Sequence, residues 1–319
     1  MNTLHRIAAL VDACLLPACR TGRLPDWIRL GLDRGMPGVV AYADTPDASR
    51  RITDALHERL PDGLTGRPGG TPSPRGNDSG TGDSGSSAAA ELVGLGANFH
   101  LGVRPALRAD ETRVFVTDLQ AHGVAAALGP FTGEGPLRPF AEGAAAGVRA
   151  ITAGRTPVPG GDGLPATLSA QAVTGVLRGD LGYGGVVVSD TLDAPSIVNG
   201  WGVPGAAVLA WIAGVDLVQL GPACGAGVRE AIHTAAARAV ADGDLAPDRL
   251  EEAAERVARL RRWASEPRMP APAATEQAAA HSSAPVPGPA SAPVPGPASA
   301  PVSGPASTPV SARAAATHR

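Results

Sequence analysis

Short runs of consecutive apolar residues alternate along this chain with longer stretches in which apolar residues recur every three or four positions. The first pattern predicts buried strands and the second predicts helices lying against them. Gly38-Val-Val-Ala-Tyr-Ala43 reads as a strand, followed by a helix from Arg50 to Leu60. Ala97-Asn-Phe-His-Leu101 is the next strand and Asp110 to Gln120 its helix. Val124 to Leu128, Arg149 to Ala153, Gly185 to Ser189 and Val215 to Leu220 continue the strands, with a helix from Leu137 to Ala146. Two closing helices run from Gly227 to Ala241 and from Asp248 to Trp263, the second acidic early and basic late, as a helix dipole favours. With a first strand at Leu10 to Leu16, the count is seven or eight. Many equal βα repeats without a glycine-rich phosphate loop favour a (β/α)8 TIM-type barrel over the alternative, a doubly wound sheet.

Two segments break the pattern. Glycine, serine, proline, threonine and aspartate dominate residues 61–87, a length uncommon for a loop inside a compact domain, so this stretch is expected to be a disordered insertion. It falls where the third strand belongs, so the barrel is expected to be incomplete or distorted there, with unpaired backbone groups at the gap. Near the C-terminus, Ala284-Pro-Val-Pro-Gly-Pro-Ala-Ser291 repeats at 292–299 and again, with Ser303 for proline, at 300–307. Proline lacks the N–H donor and the repeat has no apolar period, which predicts an extended, disordered spacer or interaction tail able to recruit a protein partner. The expected organisation is therefore a barrel over 1–265 and a Pro/Ala/Ser-rich tail over 266–319.

Composition narrows the chemistry. Aromatic residues make up only 3% of a chain that is 44% hydrophobic, so the core must be built from alanine, valine and leucine. All 27 basic residues are arginine, which removes lysine chemistry altogether. A net charge of −3 and the lack of any basic cluster interleaved with aromatics argue against nucleic acid as a partner. Cys14, Cys19 and Cys224 show neither disulfide nor metal-ligand spacing, and no cofactor motif is present. Asp12 interrupts the apolar run from Ile7 to Pro17, so that run reads as a strand rather than a signal segment. No run approaches the roughly 20 apolar residues a membrane span needs. A soluble, cytoplasmic protein is expected.

One stretch carries chemistry. Leu164-Pro-Ala-Thr-Leu-Ser169 leads through a helix to Gly179-Asp-Leu-Gly-Tyr-Gly-Gly-Val-Val-Val-Ser-Asp190. A carboxylate directly after a valine-rich barrel strand sits at the face where the βα loops converge, although Ser189-Asp190 would also serve as a helix cap. The stretch resembles the P-A-T-L-S and L-R-x-x-L-G-F-x-G-V-V-V-[ST]-D elements of glycoside hydrolase family 3, in its β-N-acetylhexosaminidase-like branch. Ala206 to Leu220 is similar to a further element of that family, and the likeness spans about residues 10–263 with gaps. The resemblance implies hydrolysis of β-linked N-acetylglucosaminides or related O-glycosides, with Asp190 as the nucleophile that forms a glycosyl-enzyme intermediate.

The departures are as informative as the matches. Gly123-Val-Ala-Ala-Ala-Leu-Gly-Pro-Phe-Thr-Gly-Glu-Gly135 aligns with the family's G-V-A-A-C-A-K-H-F-P-G-H-G, putting Gly129 at the lysine, Pro130 at the first histidine and Glu134 at the second. The loop that carries the family's acid/base histidine has no counterpart, the D-x-E-G-G strand end is replaced by the 61–87 stretch, Ala106 stands at an aspartate and Gly154 at a histidine. Glu134 is the candidate substitute acid/base, and His100, on its strand, is a candidate sugar-binding group. Arg104 and Arg149 could also reach a sugar, although surface pairing is the commoner role of such residues. General acid catalysis is worth about 10²- to 10⁴-fold, so an enzyme lacking it should be slow. The alternative is a catalytically impaired barrel that binds a carbohydrate, a cell-wall fragment or a protein partner without turnover.

Overall fold

The computed structural model describes residues 3–69, 85–104, 109–133, 137–157 and 161–266. Eight parallel strands form a barrel: β1 (Leu15–Cys19), β2 (Gly38–Ala41), β3 (Leu64–Pro68), β4 (Phe99–Val103), β5 (Ala125–Phe131), β6 (Ala150–Ala153), β7 (Val186–Ser189) and β8 (Val218–Leu220). Pairing runs in order from β1 to β7, with β8 beside β1. The ring is drawn together where Val188 bridges Leu217 and the Ser189 N–H donates to the Leu217 carbonyl at 2.9 Å.

The third strand, expected to be missing, is present. Leu64-Thr-Gly-Arg-Pro68 pairs with β2 on one side and β4 on the other, so it fills the gap in the ring. Gly66 accounts for its weak signature, since a side chain there would crowd Val40 and Leu101. The insertion is therefore shorter than expected at both ends: α4 (Gly85–Gly94) already begins at residue 85, and only residues 70–84 lie outside the described residues. The first strand also moves. Thr3–Ala13 is a helix, α1, and β1 starts at Leu15. Ile7 and Val11, four residues apart, are buried on one face of α1, and Asp12 is the buried partner of Arg229 and His233 rather than a break in a strand.

Alternation along the strands divides the apolar residues into two sets. Leu16, Val40, Leu64, Phe99, Leu101, Ala125, Ala127, Ala150, Val186, Val188 and Leu217 fill the barrel interior. Alanines on β5 and β6 leave room for Phe99, and this is how a core with few aromatics still closes. Their strand neighbours, such as Leu15, Val39, Ala126, Ile151 and Val187, face the helical layer. That layer comprises α2 (Asp26–Asp33), α3 (Pro46–His57), α5 (Ala109–Ala121), α6 (Arg138–Ala145), a π-helix over Gln171–Asp180, α7 (Pro195–Ala213) and α8 (Ala226–Asp242). The last helix, α9 (Pro247–Ser265), does more than cover a face. Its Val257, Leu260 and Ala264 join the interior set beside Leu64, Phe99, Ala125, Ala150 and Val186, the first residues of their strands, so α9 plugs the N-terminal end of the barrel. Helix α7 is apolar and 19 residues long, but Gly202 breaks its backbone at φ 63°, Pro204 follows inside it, and Trp211 is fully buried against the core. The tail beyond 266 lies outside the described residues.

Candidate active site

With one end plugged, the open end is the one where the strands finish, and the residues that follow β2, β6, β7 and β8 meet there. Asp190 follows β7. Its own N–H donates to the Ala153 carbonyl at 2.9 Å, which fixes the backbone against β6. Its Oδ1 accepts the Thr191 N–H at 2.7 Å and lies 3.5 Å from the Arg155 guanidinium, while the side chain remains 24% exposed. A carboxylate oriented by a backbone donor, faced by a cation and open to solvent is suited to approach an electrophilic carbon.

Tyr42, immediately after β2, stands across the mouth. Its hydroxyl accepts from Gln219 Nε2 on β8 at 3.0 Å. Burial, and then the charges of Asp190 and Asp193, push the phenol above its ordinary value, so it is neutral and a donor at physiological pH. Asp193 is committed elsewhere: its Oδ2 accepts the Ala223 N–H at 3.1 Å, and its carboxylate occupies the place a side chain on Gly221 would take. Thr152, on the inward-facing side of β6, is buried with its hydroxyl unpartnered among the described residues, which leaves a donor for a ligand in the barrel mouth.

The residues expected from sequence separate widely. Glu134, the candidate acid/base, lies outside the described residues. His100 is not in the mouth. Phe99 and Leu101 point into the barrel, so alternation turns His100 to the helix-facing side, level with Arg67, which reaches Ser49 of α3 at 3.1 Å. Burial, with the charge of Arg67 adding to it, pushes the imidazole from its ordinary 6.5 down to about 4, and its Nδ1 has no partner among the described residues. The unfolded chain therefore takes up a proton on this residue before the folded protein does. Stability from this group is complete above pH 6.5 and lost as the pH falls toward 4. A shift of this size corresponds to roughly 3 kcal/mol. His100→Leu should lack that component of acid sensitivity, which urea unfolding of both proteins at pH 7 and pH 4.5 would detect. Equal pH dependence in the two would contradict the assignment.

Arg149 is also displaced from the mouth, because it precedes β6 and stacks on Trp263 of α9 at the plugged end, 4.5 Å from the ring centre. Arg104 directly follows β4 and is exposed. Two of the positions where the family pattern carries a polar anchor, Gly129 and Gly154, are crowded by backbone. A Cβ on Gly129 would lie 2.6 Å from the Thr152 carbonyl oxygen, and one on Gly154 would lie 3.0 Å from that of Phe131. Much of the long motif before β7 is structural. Arg178 donates to the carbonyls of Tyr183 and Gly185 and to Asp216, tying down the turn that feeds the strand.

Arg155, Tyr42, Gln219 and Asp193 were not singled out as site residues from sequence. Tyr42 directly follows β2 and Gln219 is within β8, near the strand ends where a barrel's loops converge, but nothing local shows that 177 positions of separation close to 3.0 Å. Among the described residues no cluster of three or more metal-ligating side chains occurs.

Comparison with known proteins gives a consistent picture. The family model described as the glycosyl hydrolase family 3 N terminal domain matches residues 131–260. The backbone is similar to that of a glycoside hydrolase family 3 β-N-acetylglucosaminidase from Paenibacillus sp. str. FPU-7, at 22% identity and a TM-score of 0.67, over 83% of this chain and 63% of that one. It is similar to a β-N-acetylhexosaminidase from Beutenbergia cavernae DSM 12333, at 19% identity and a TM-score of 0.65, over 80% of this chain and 98% of that one. A β-N-acetylglucosaminidase from Thermotoga maritima gives 18% identity and a TM-score of 0.66, over 79% and 67% of the two chains. At these identities the likeness is one of fold. The chain spans less than two thirds of the Paenibacillus protein. Compared by sequence with curated proteins, it matches none.

Proposed function

From the match of residues 131–260 to the glycosyl hydrolase family 3 N terminal domain, we propose that this chain is a member of that family and hydrolyses β-linked N-acetylglucosaminides or related O-glycosides with Asp190 as the nucleophile. The observation that carries the reading is the placement of Asp190: directly after β7, its Oδ1 on the Thr191 N–H and facing Arg155, with the carboxylate open at the mouth. In this reading Asp190 attacks the anomeric carbon and the aglycone oxygen leaves with the bonding pair. Water then releases the sugar.

The loss from the sequence of the family pattern's acid/base histidine shapes the proposed specificity. Without a group that protonates the departing oxygen, the rate must depend on how well that oxygen carries negative charge. Activated aryl N-acetylglucosaminides should turn over, whereas disaccharides and alkyl glycosides should be slower by about 10²- to 10⁴-fold more than in an enzyme with its acid in place. Measuring kcat/KM for aryl β-N-acetylglucosaminides whose phenols span several pKa units tests this. A steep dependence on leaving-group pKa is the expected result. A flat one would mean that Glu134, or Tyr42 across the mouth, protonates the leaving group, and no rate above buffer for any substrate would remove the hydrolase reading.

A second reading is favoured by the closed positions at Gly129 and Gly154, where backbone fills the space of two polar anchors. In that reading the barrel binds a sugar or a cell-wall fragment without cleaving it. Saturable binding of N-acetylglucosamine together with zero turnover of the most activated aryl substrate would select it.

A further inference from the structure

A cleft lies at the other end of the barrel from Asp190. It holds about 590 Å³ between α6, the turn Gly147 to Arg149, the turn Leu181 to Gly185 and the outer face of α9. Its walls are small, with Ala141, Ala144 and Ala145 on one side and a glycine-rich turn on another. What lines it is one-sided in charge. Among the described residues that line it are three arginines, Arg149, Arg256 and Arg259, and no carboxylate.

The ion pairs beneath the cleft bear unequally on these arginines, Arg256 being held by Asp216 and Glu252 and Arg259 much less firmly. Asp216, fully buried, accepts from Arg178, Arg249 and Arg256 at 2.5, 2.6 and 3.2 Å, and Glu252 accepts from Arg249 and Arg256. Three guanidiniums therefore share two carboxylates. Arg259, half exposed, has among the described residues only Glu255 at 3.7 Å, one turn back on the helix and itself 74% exposed. Such a pair is weak and readily exchanged. Trp263 supplies the apolar element, with Arg149 lying over its ring. A concave site of a few hundred Å³ with convergent cations, small walls and one aromatic has the form of a small-molecule site. Planar guanidiniums are matched to the oxygens of phosphate.

We propose that this cleft binds a phosphorylated small molecule of sugar size, its phosphate held by Arg259 and Arg256 and its organic part against Trp263 and the alanines of α6. The volume favours a whole molecule over a bare ion, which would leave most of the cleft unfilled. The site is separated from the catalytic mouth by the plugged barrel, so it stands whether or not Asp190 performs hydrolysis. Because the ligand would tie α9 to the turns before β6 and β7, its binding should also stabilise the fold.

The test uses the full chain with glucose 6-phosphate, inorganic phosphate and unphosphorylated glucose, each titrated by calorimetry and by the shift in thermal midpoint. Glucose 6-phosphate should bind saturably and raise the midpoint, inorganic phosphate should bind more weakly, and glucose should do neither. Arg259→Ala, on an exposed surface position, should fold normally and weaken glucose 6-phosphate binding about tenfold or more, as expected for loss of a charge-assisted contact. Trp263→Phe should weaken glucose 6-phosphate more than inorganic phosphate. Equal affinity for the two phosphates would reduce the cleft to an ion site and overturn the proposal. No saturable response to glucose 6-phosphate at millimolar concentration, or an unchanged affinity in Arg259→Ala, would overturn it as well.

Discussion

Asp190→Ala is expected to lower kcat/KM for an activated aryl β-N-acetylglucosaminide by at least about 10³-fold, leaving the thermal midpoint nearly unchanged. The size of the loss follows from the lack of a replacement. Asp193, a carboxylate three residues on, accepts the Ala223 N–H and packs over Gly221, so it is not placed to take over attack at the anomeric carbon. Stability should survive because, among the described residues, the Asp190 carboxylate meets only Thr191 next to it in sequence and a half-exposed arginine. The truncated variant also leaves a space beside Arg155. Azide supplied in solution should enter it, attack the anomeric carbon as the aryloxide departs, and give a glycosyl azide with restored release of phenol. Activity in Asp190→Ala equal to that of the unchanged protein, without azide, would show that Asp190 is not the nucleophile. Loss of activity accompanied by a large fall in thermal midpoint would instead make Asp190 a structural residue.

The largest expected effect on stability lies at Asp216. Asp216→Ala removes the one fully buried carboxylate shared by Arg178, Arg249 and Arg256, together with the acceptor for the Val187 N–H at 2.9 Å. Breaking a buried ionic network from one side costs about 3 to 5 kcal/mol, because the partners remain charged and poorly solvated. For a domain of this size that corresponds to roughly 10 °C in the thermal midpoint. The loss should reach the barrel mouth, since Val187 is on the strand that leads to Asp190 and Arg178 secures the turn that feeds it. Asp216→Asn keeps an acceptor and should fall between. A midpoint within about 2 °C of the unchanged protein for Asp216→Ala would show that the network contributes little.

Most of the barrel was legible in the sequence because its strands announce themselves locally. Gly185 to Ser189 is a valine run bounded by glycine, and both the strand and the aspartate at its end follow from that run. The third strand was hidden because only Leu64 and Thr65 in it look like strand residues. Gly66, Arg67 and Pro68 form a strand through pairing with β2 and β4, which no local window contains. The N-terminal run was misread for the same reason. Asp12 looks like an interruption until Arg229 and His233 of α8 are beside it.

For the site the division is sharper. The sequence by itself determined that Asp190 ends a barrel strand, that lysine and histidine anchors of the family pattern are lost, and that a helix-and-strand repeat encloses a core of small residues. These are properties of composition and of short-range order. Only the tertiary structure decided that His100 faces the helices, that Tyr42 and Gln219 meet across the mouth, that Arg155 faces Asp190, and that Arg149 belongs to a cleft at the opposite end. Each of those depends on which side of a strand a residue takes and on which end of the barrel a loop lies. The closure of the ring, through contacts between residues far apart in the chain, fixes both.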